Sequence, residues 1–161
     1  MVSGIGSEFG CMTKFIDYNQ ILDDVKSLVE TKVVSMSPTV PYKLVGTNLM
    51  TRDFVFANMP LCDVRLANLE PQTRVGQDYY SGLLVELEIA AFSLNSKDKA
   101  ARIANELLSL TQRALIENAH FGAVWESISL GHVDFMTAEG GKEGFAASLV
   151  AQVQINIFSD K

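Results

Sequence analysis

The chain has 161 residues, a mass of 17.6 kDa, 48% hydrophobic and 20% charged residues, which is enough apolar material for one folded core and too much for a solvated disordered chain. Its net charge of −6 and 13 scattered basic residues exclude a large phosphate-neutralising surface, so we expect no nucleic-acid sequence recognition. No apolar run approaches the roughly 18 residues that cross a bilayer, and no secretory leader is recognisable, so we expect a protein made in the cytoplasm with no membrane partner.

The first eleven residues (MVSGIGSEFGC) are rich in Gly and Ser, and residues 6–9 (GSEF) look like a translated cloning junction. We therefore predict that residues 1–11 are a cloning-derived tail. The natural start is then Met12, and residues 12–161 form a single α+β domain.

The two cysteines, Cys11 and Cys62, have no CxxC spacing and no second pair. Neither a disulfide scaffold nor a zinc site is supported. We expect Cys62 to be a small buried hydrophobe.

The first predicted element is a helix over residues 17–32, with Asp17 as its N-cap. Its apolar residues recur at helical spacing on one side, and charged residues occupy the other, so it packs on one side only. The apolar set is Ile21, Leu22, Val25, Leu28 and Val29.

Residues 33–60 contain Pro38, Pro41, Gly46 and Pro60 between short apolar stretches. This composition predicts loops and one or two short edge strands, since proline disfavours a central strand.

Residues 61–70 alternate, with Val64 and Leu66 opposite Asp63 and Arg65, and predict a strand. Residues 71–78 (PQTRVGQD) are polar and predict an exposed connection or a long hairpin arm.

The clearest strand pattern lies at residues 83–91, where Glu86 and Glu88 alternate with apolar residues. Ser96 then predicts an N-cap for a helix over residues 97–117, which carries an apolar stripe.

Residues 124–135 predict a further strand with a bulge near Gly131. Residues 138–144 predict a glycine-rich turn, and residues 149–158 alternate as a closing strand. The predicted fold class is therefore α+β: an antiparallel or mixed sheet of four or more strands, with two main helices packed on one face and the other face polar.

The residues that could carry chemistry do not form a recognisable catalytic motif. His120 and His132 have no evident nucleophile beside them, and we expect a solvated and a structural histidine. Glu86 and Glu88 could in principle do acid and base work, but a solvent-facing pair is the simpler interpretation. The sequence predicts no enzyme, no catalytic residue and no cofactor.

Gly140 and Gly141 precede Lys142, but a phosphate loop needs Ser or Thr next and then a helix, whereas Glu143 follows here. We interpret this segment as a hairpin turn. Asp23, Asp24 and Asp63 lack metal-ligand spacing, so no metal is predicted, and Trp125 is expected in the core.

With the elements placed, residues 12–161 resemble the tail-terminator (tail-completion) proteins of long-tailed bacteriophages. The likeness is one of element order and size, carried by residues 59–66 (MPLCDVRL), the passage 83–115, and the hairpin from Gly140 to the strand at 149–158. It implies a sheet flanked by helices, a homo-oligomeric ring expected to have six subunits, and a location at the head-proximal end of the virion tail. The implied partners are the tail tube protein and the head-tail connector proteins, and the implied role is to end tube polymerisation and provide a surface for head attachment.

We predict that Arg74, Asp78, Tyr79 and Tyr80, in the polar arm, are interface residues of that ring. Two alternatives remain open at this point. One is a phage neck or head-tail joining protein, and the other is a small α+β ligand-binding or enzymatic domain.

Overall fold

The computed structural model describes residues 17–69, 73–75, 78–118, 127–139 and 144–159. The predicted tail at 1–11 lies outside these residues, as do Trp125, His120 and the Gly140–Lys142 segment.

A mixed six-stranded sheet and two helices make up the fold, which confirms the α+β prediction. The sheet order is β1-β2-β4-β6-β5, and β3 pairs with β4 beside this path. β1 runs parallel to β2, and the remaining pairs are antiparallel. The strands are β1 Leu44–Thr47, β2 Leu61–Leu69, β3 Thr73–Val75, β4 Asp78–Ser93, β5 Ser127–Glu139 and β6 Phe145–Ser159.

Both predicted N-caps are confirmed. The side chain of Asp17 accepts a hydrogen bond from the backbone N–H of Gln20 at the start of α1 (Tyr18–Leu28), which continues as a π-helical turn over Val29–Val33. Ser96 caps α2 (Lys97–Glu117) in the same way.

The helices cover one face of the sheet, hereafter the helix-covered face. α1 contacts β1 and β2, while α2 contacts β4, β6 and β5. Alternate residues of β4 and β6 project into the core between the layers, as period-two alternation requires. They include Leu83, Val85, Leu87 and Ile89 of β4 and Leu149, Ala151, Val153 and Ile155 of β6, all at most 2% exposed.

Cys62 lies in this core with no exposed surface, as expected from the sequence. Burial raises the pKa of its thiol to about 12, so the group stays protonated and unreactive at neutral pH. The nearby hydroxyl of Tyr42 hydrogen-bonds the Thr111 hydroxyl at 2.8 Å, and its pKa is also raised, chiefly by burial.

The opposite face, the outer face, is not polar throughout, and this part of the fold prediction is wrong. Met59, Leu61 and Ala90 form a second buried apolar cluster, covered by the segment between β1 and β2. The ring of Phe56 in this segment stacks on the ring of Phe92 in β4, with centroids 4.2 Å apart. The segment contains short 3₁₀ turns at Thr51–Asp53 and Phe56–Asn58, so residues 33–60 contribute one of the one or two short strands predicted for them, β1.

The strand limits differ from the predicted ones chiefly because pairing extends beyond the strongly alternating residues. β4 and β6 pair continuously from Tyr79 opposite Ser159 to Ser93 opposite Phe145. β5 runs to Glu139, two residues into the predicted turn, and the predicted bulge is confirmed between Leu130 and Val133.

Candidate functional site

A cluster of four charged side chains lies on the outer face where β2 and β4 pair. The register sets Asp63 opposite Glu88 and Arg65 opposite Glu86. Residues two apart on a strand share a face, so all four side chains meet.

Arg65 is the centre of this cluster. Its Nη1 donates to Oδ2 of Asp63 at 3.0 Å and to Oε1 of Glu88 at 2.9 Å, and its Nε donates to Oε1 of Glu86 at 3.2 Å. One guanidinium therefore engages three carboxylates, which leaves the cluster with a formal charge of −2 if all are ionised.

Asp63 ties the cluster to the chain that follows β1. Asp63 is 1% exposed, and its second carboxylate oxygen, Oδ1, accepts a hydrogen bond from the backbone N–H of Leu49 at 2.9 Å. The same carboxylate thus anchors the segment that covers the outer apolar cluster, which gives the ion pair a structural role.

Two opposed effects set the pKa of Arg65. Burial is the largest single effect and lowers it, but the hydrogen bonds to Glu88, Asp63 and Glu86 and the Coulombic attraction of Glu88 together outweigh burial and raise the pKa above its ordinary value. Arg65 is a permanent cation and cannot supply a proton in this site.

A cavity of about 180 Å³ adjoins the cluster and is lined by Leu49, Phe54, Asp63, Arg65 and Glu88. Among the residues that the structure describes, its lining includes no serine, cysteine or histidine, and its carboxylates are held by Arg65 rather than presented singly. Acid and base work would require a carboxylate free to exchange a proton with a bound molecule. This arrangement favours a structural site.

The interpretation of Glu86 and Glu88 as a solvent-facing pair is only partly right. Their side chains are 25% and 19% exposed, and both are engaged by Arg65. The signal was present in the sequence, because Asp63 and Arg65 alternate at the same spacing. Recognising the cluster required the β2–β4 register.

The other candidate residues are not brought together among the described residues. His132 is exposed, and its Nε2 lies 2.8 Å from Oδ1 of Asp134. Asp23 is exposed on α1, and Asp24 accepts a hydrogen bond from Gln20. Within the described ranges no group of three potential ligands could hold a metal ion, and no helix is long and apolar enough to cross a membrane.

The predicted interface residues lie on a hairpin at one end of the sheet. β3 pairs with the start of β4, with Arg74 opposite Tyr79, Thr73 opposite Tyr80 and Val75 opposite Asp78. The structure therefore contains the predicted hairpin arm. The side chains of Arg74, Asp78, Tyr79 and Tyr80 lie outside the part of the chain that the structure describes, and their role stays a prediction.

Several large apolar side chains are exposed elsewhere on the surface. Leu130, Phe135 and Met136 lie on β5, and their residues are 42%, 63% and 54% exposed. On the outer face, Val55 borders an open depression of about 470 Å³ with Phe54, Phe56 and Ala57. Exposed apolar side chains grouped in this way mark interaction surfaces more often than isolated ones do.

No protein-family model matches the chain, and no curated protein matches it. Chains of solved structures do match. One belongs to the "Virion of native gene transfer agent (GTA) particle", with 10% sequence identity over 86% of this chain and 90% of that chain and a TM-score of 0.43. A likeness at this level of identity and superposition carries no argument about what this chain does.

Proposed function

We propose that this protein is a structural subunit of a phage virion that forms a ring on the head-proximal end of the tail tube. There it ends tube polymerisation and offers the surface to which the head connector attaches. It performs no covalent chemistry, and its partners are further copies of itself, the tail tube protein and the connector proteins.

The observation that carries the proposal is the hairpin arm at the end of the sheet. β4 begins at Asp78, five positions before Leu83, the first β4 residue in the hydrophobic core cluster. Over this stretch it pairs with β3 on one side and with β6 on the other. In a closed ring, one surface of each subunit binds a different surface of the next copy. A ribbon of this kind is suited to provide one of those two surfaces.

The polar cluster supports a structural role over an enzymatic one. Its only cation is held by three carboxylates, and its most buried member, Asp63, is also tied to the backbone of Leu49. Such groups stabilise a strand pair and its covering segment, but they are not free to act on a substrate.

Light scattering on the purified protein is the first test of the ring. A discrete particle near six times the chain mass of 17.6 kDa is the expected result, in solution or upon addition of tail tube protein. The double substitution Arg74→Ala with Tyr80→Ala is expected to dissociate it. The matched control, Arg113→Ala with Leu94→Ala, removes an exposed arginine and an exposed apolar side chain away from the arm and should leave the particle intact.

Electron microscopy of tails assembled without the protein tests the function itself. Over-long tubes without heads are expected for a terminator. Tubes of normal length that fail to join heads would instead identify a neck protein. Normal, head-bearing virions would remove the proposal altogether.

A further inference from the structure

The outer edge of β5 lacks most of the usual protection of an edge strand, its bulge near Gly131 and the charged pair beside it being the exceptions. β5 is the last strand in the sheet order, and no other described strand pairs with its outer edge. It is 13 residues long and contains no lysine, arginine or proline, which are the residues that natural edge strands use to prevent pairing. The opposite edge, β1, has only four residues and follows directly after Lys43.

Part of the helix-covered face of β5 also lacks cover. Leu130 pairs with Val153 and Phe135 pairs with Leu149, both core residues, so these two side chains are on the helix-covered face. They are nevertheless 42% and 63% exposed, so the helices do not bury them.

The bulge determines which side chains of β5 share a face. Leu130 pairs with Val153 and Val133 pairs with Ala151, so two residues of β5, Gly131 and His132, oppose one residue of β6. Leu130 and Val133 therefore both face the helices although they are three positions apart. Phe135 follows two positions later on the same face.

We propose that the outer edge of β5 binds the outer edge of β5 in a second copy of this chain, antiparallel about a two-fold axis at Val133. With each bulge counted as one position, this register places Leu130 opposite Phe135 of the partner subunit. The axis repeats the pair, so four exposed apolar side chains cover one another on the helix-covered side.

The charges of β5 fit the same register. His132 and Asp134 flank Val133, so His132 of each subunit lies against Asp134 of the partner subunit. The register pairs residues 127–138, which contain no other charged residue, so no like charges are opposed within it, and Glu139 lies beyond the paired stretch. This complementarity of the strand with itself favours a second copy over an unrelated partner.

The contact is independent of the proposed ring. A two-fold contact joins the same surface on two subunits and then closes, whereas a ring uses two different surfaces of each subunit. Substitutions in the arm can therefore disrupt the ring without affecting the β5 contact, and substitutions in β5 can disrupt that contact without affecting the ring.

Sedimentation equilibrium of the full chain tests the contact. With Arg74→Ala and Tyr80→Ala present to prevent the proposed ring, the protein is expected to approach twice 17.6 kDa as its concentration rises. Phe135→Lys should weaken this association about 100-fold, because the two-fold axis places two lysines in an apolar seam. The control Leu94→Lys makes the same change at a side chain that is 75% exposed outside β5, and it should leave the association unchanged. Circular dichroism would verify that both variants fold.

A charge exchange tests the register. His132→Asp places two carboxylates together on each side of the axis and should weaken the association. Adding Asp134→His in the same chain restores one histidine opposite one aspartate and should recover most of the affinity.

Hydrogen exchange locates the contact. Amides of residues 127–139 should gain protection as the protein concentration rises, and Phe135→Lys should abolish the gain. A protein that stays monomeric to high concentration, an association that Phe135→Lys leaves unchanged, or protection gained only outside β5 would each overturn the proposal.

Discussion

Replacing Arg65 by methionine removes the single cation that three carboxylates share. Methionine keeps a long unbranched side chain and so preserves most of the packing. The change leaves Asp63 buried, with the Leu49 N–H as a remaining partner, and places Glu86 and Glu88 beside it without a counter-charge.

The cost can be bracketed from the exposure of the partners. Breaking a buried ion pair costs about 3–5 kcal/mol, and an exposed pair contributes less than about 1 kcal/mol. The side chain of Asp63 is 2% exposed, whereas those of Arg65, Glu86 and Glu88 are 31%, 25% and 19% exposed and can be partly rehydrated. We expect Arg65→Met to lower the free energy of unfolding by about 3 kcal/mol.

Urea denaturation provides the measurement. With a slope of about 2 kcal/mol per molar urea, the midpoint should fall by roughly 1.5 M. Arg102→Met is the matched control, because it removes an exposed ion pair with Asp98 on α2 and should leave the midpoint unchanged. Adding Glu86→Gln and Glu88→Gln to Arg65→Met should recover part of the loss. A midpoint for Arg65→Met within about 0.3 M of the wild type would refute the view that this cluster holds the outer face together.

Two further changes probe the core and a turn. Burial raises the pKa of the Cys62 thiol to about 12 from its usual value near 9.0, so the unfolded chain loses this proton at lower pH than the folded chain does. The contribution to the free energy of unfolding is therefore full below pH 9 and falls by up to about 1.4 kcal/mol per pH unit between pH 9 and 12. Denaturant titrations at each pH should show a smaller slope for Cys62→Ala. Gly144 has a φ of +133°, and a Cβ there would lie 2.6 Å from the ring of Phe92 and 2.8 Å from the backbone oxygen of Ser93. Gly144→Ala should therefore lower the free energy of unfolding by at least about 2 kcal/mol. An unchanged melting temperature would contradict this.

The sequence predicted the elements whose pattern is complete within one segment. The two helices have N-caps and apolar stripes of their own, and β4 and β6 alternate over many residues. The bulge near Gly131 was also predictable, because the alternation of β5 changes phase there.

Features that depend on pairing between segments were not predictable in the same way. The charged cluster needs Asp63 opposite Glu88, which is a matter of register rather than of either strand's composition. The apolar cluster on the outer face needs Met59 and Phe56 from an irregular segment to meet Phe92 of a distant strand. Taken singly, each of these residues is of a type that is ordinary in a loop or a strand, so the sequence does not show which residues will meet.

The exposed face of β5 follows from the widths of the two layers. Strands lie about 4.8 Å apart and packed helices about 10 Å apart, so two helices cover roughly four strands. The main path of this sheet has five strands, with α1 on β1 and β2 and α2 chiefly on β4 and β6. β5 is the strand that lies beyond the width the two helices cover, and its core-facing positions hold Leu130 and Phe135 rather than polar residues. Apolar residues at positions that this chain's own helices cannot cover are best explained by burial against another protein surface, which favours assembly as the condition in which this fold is complete.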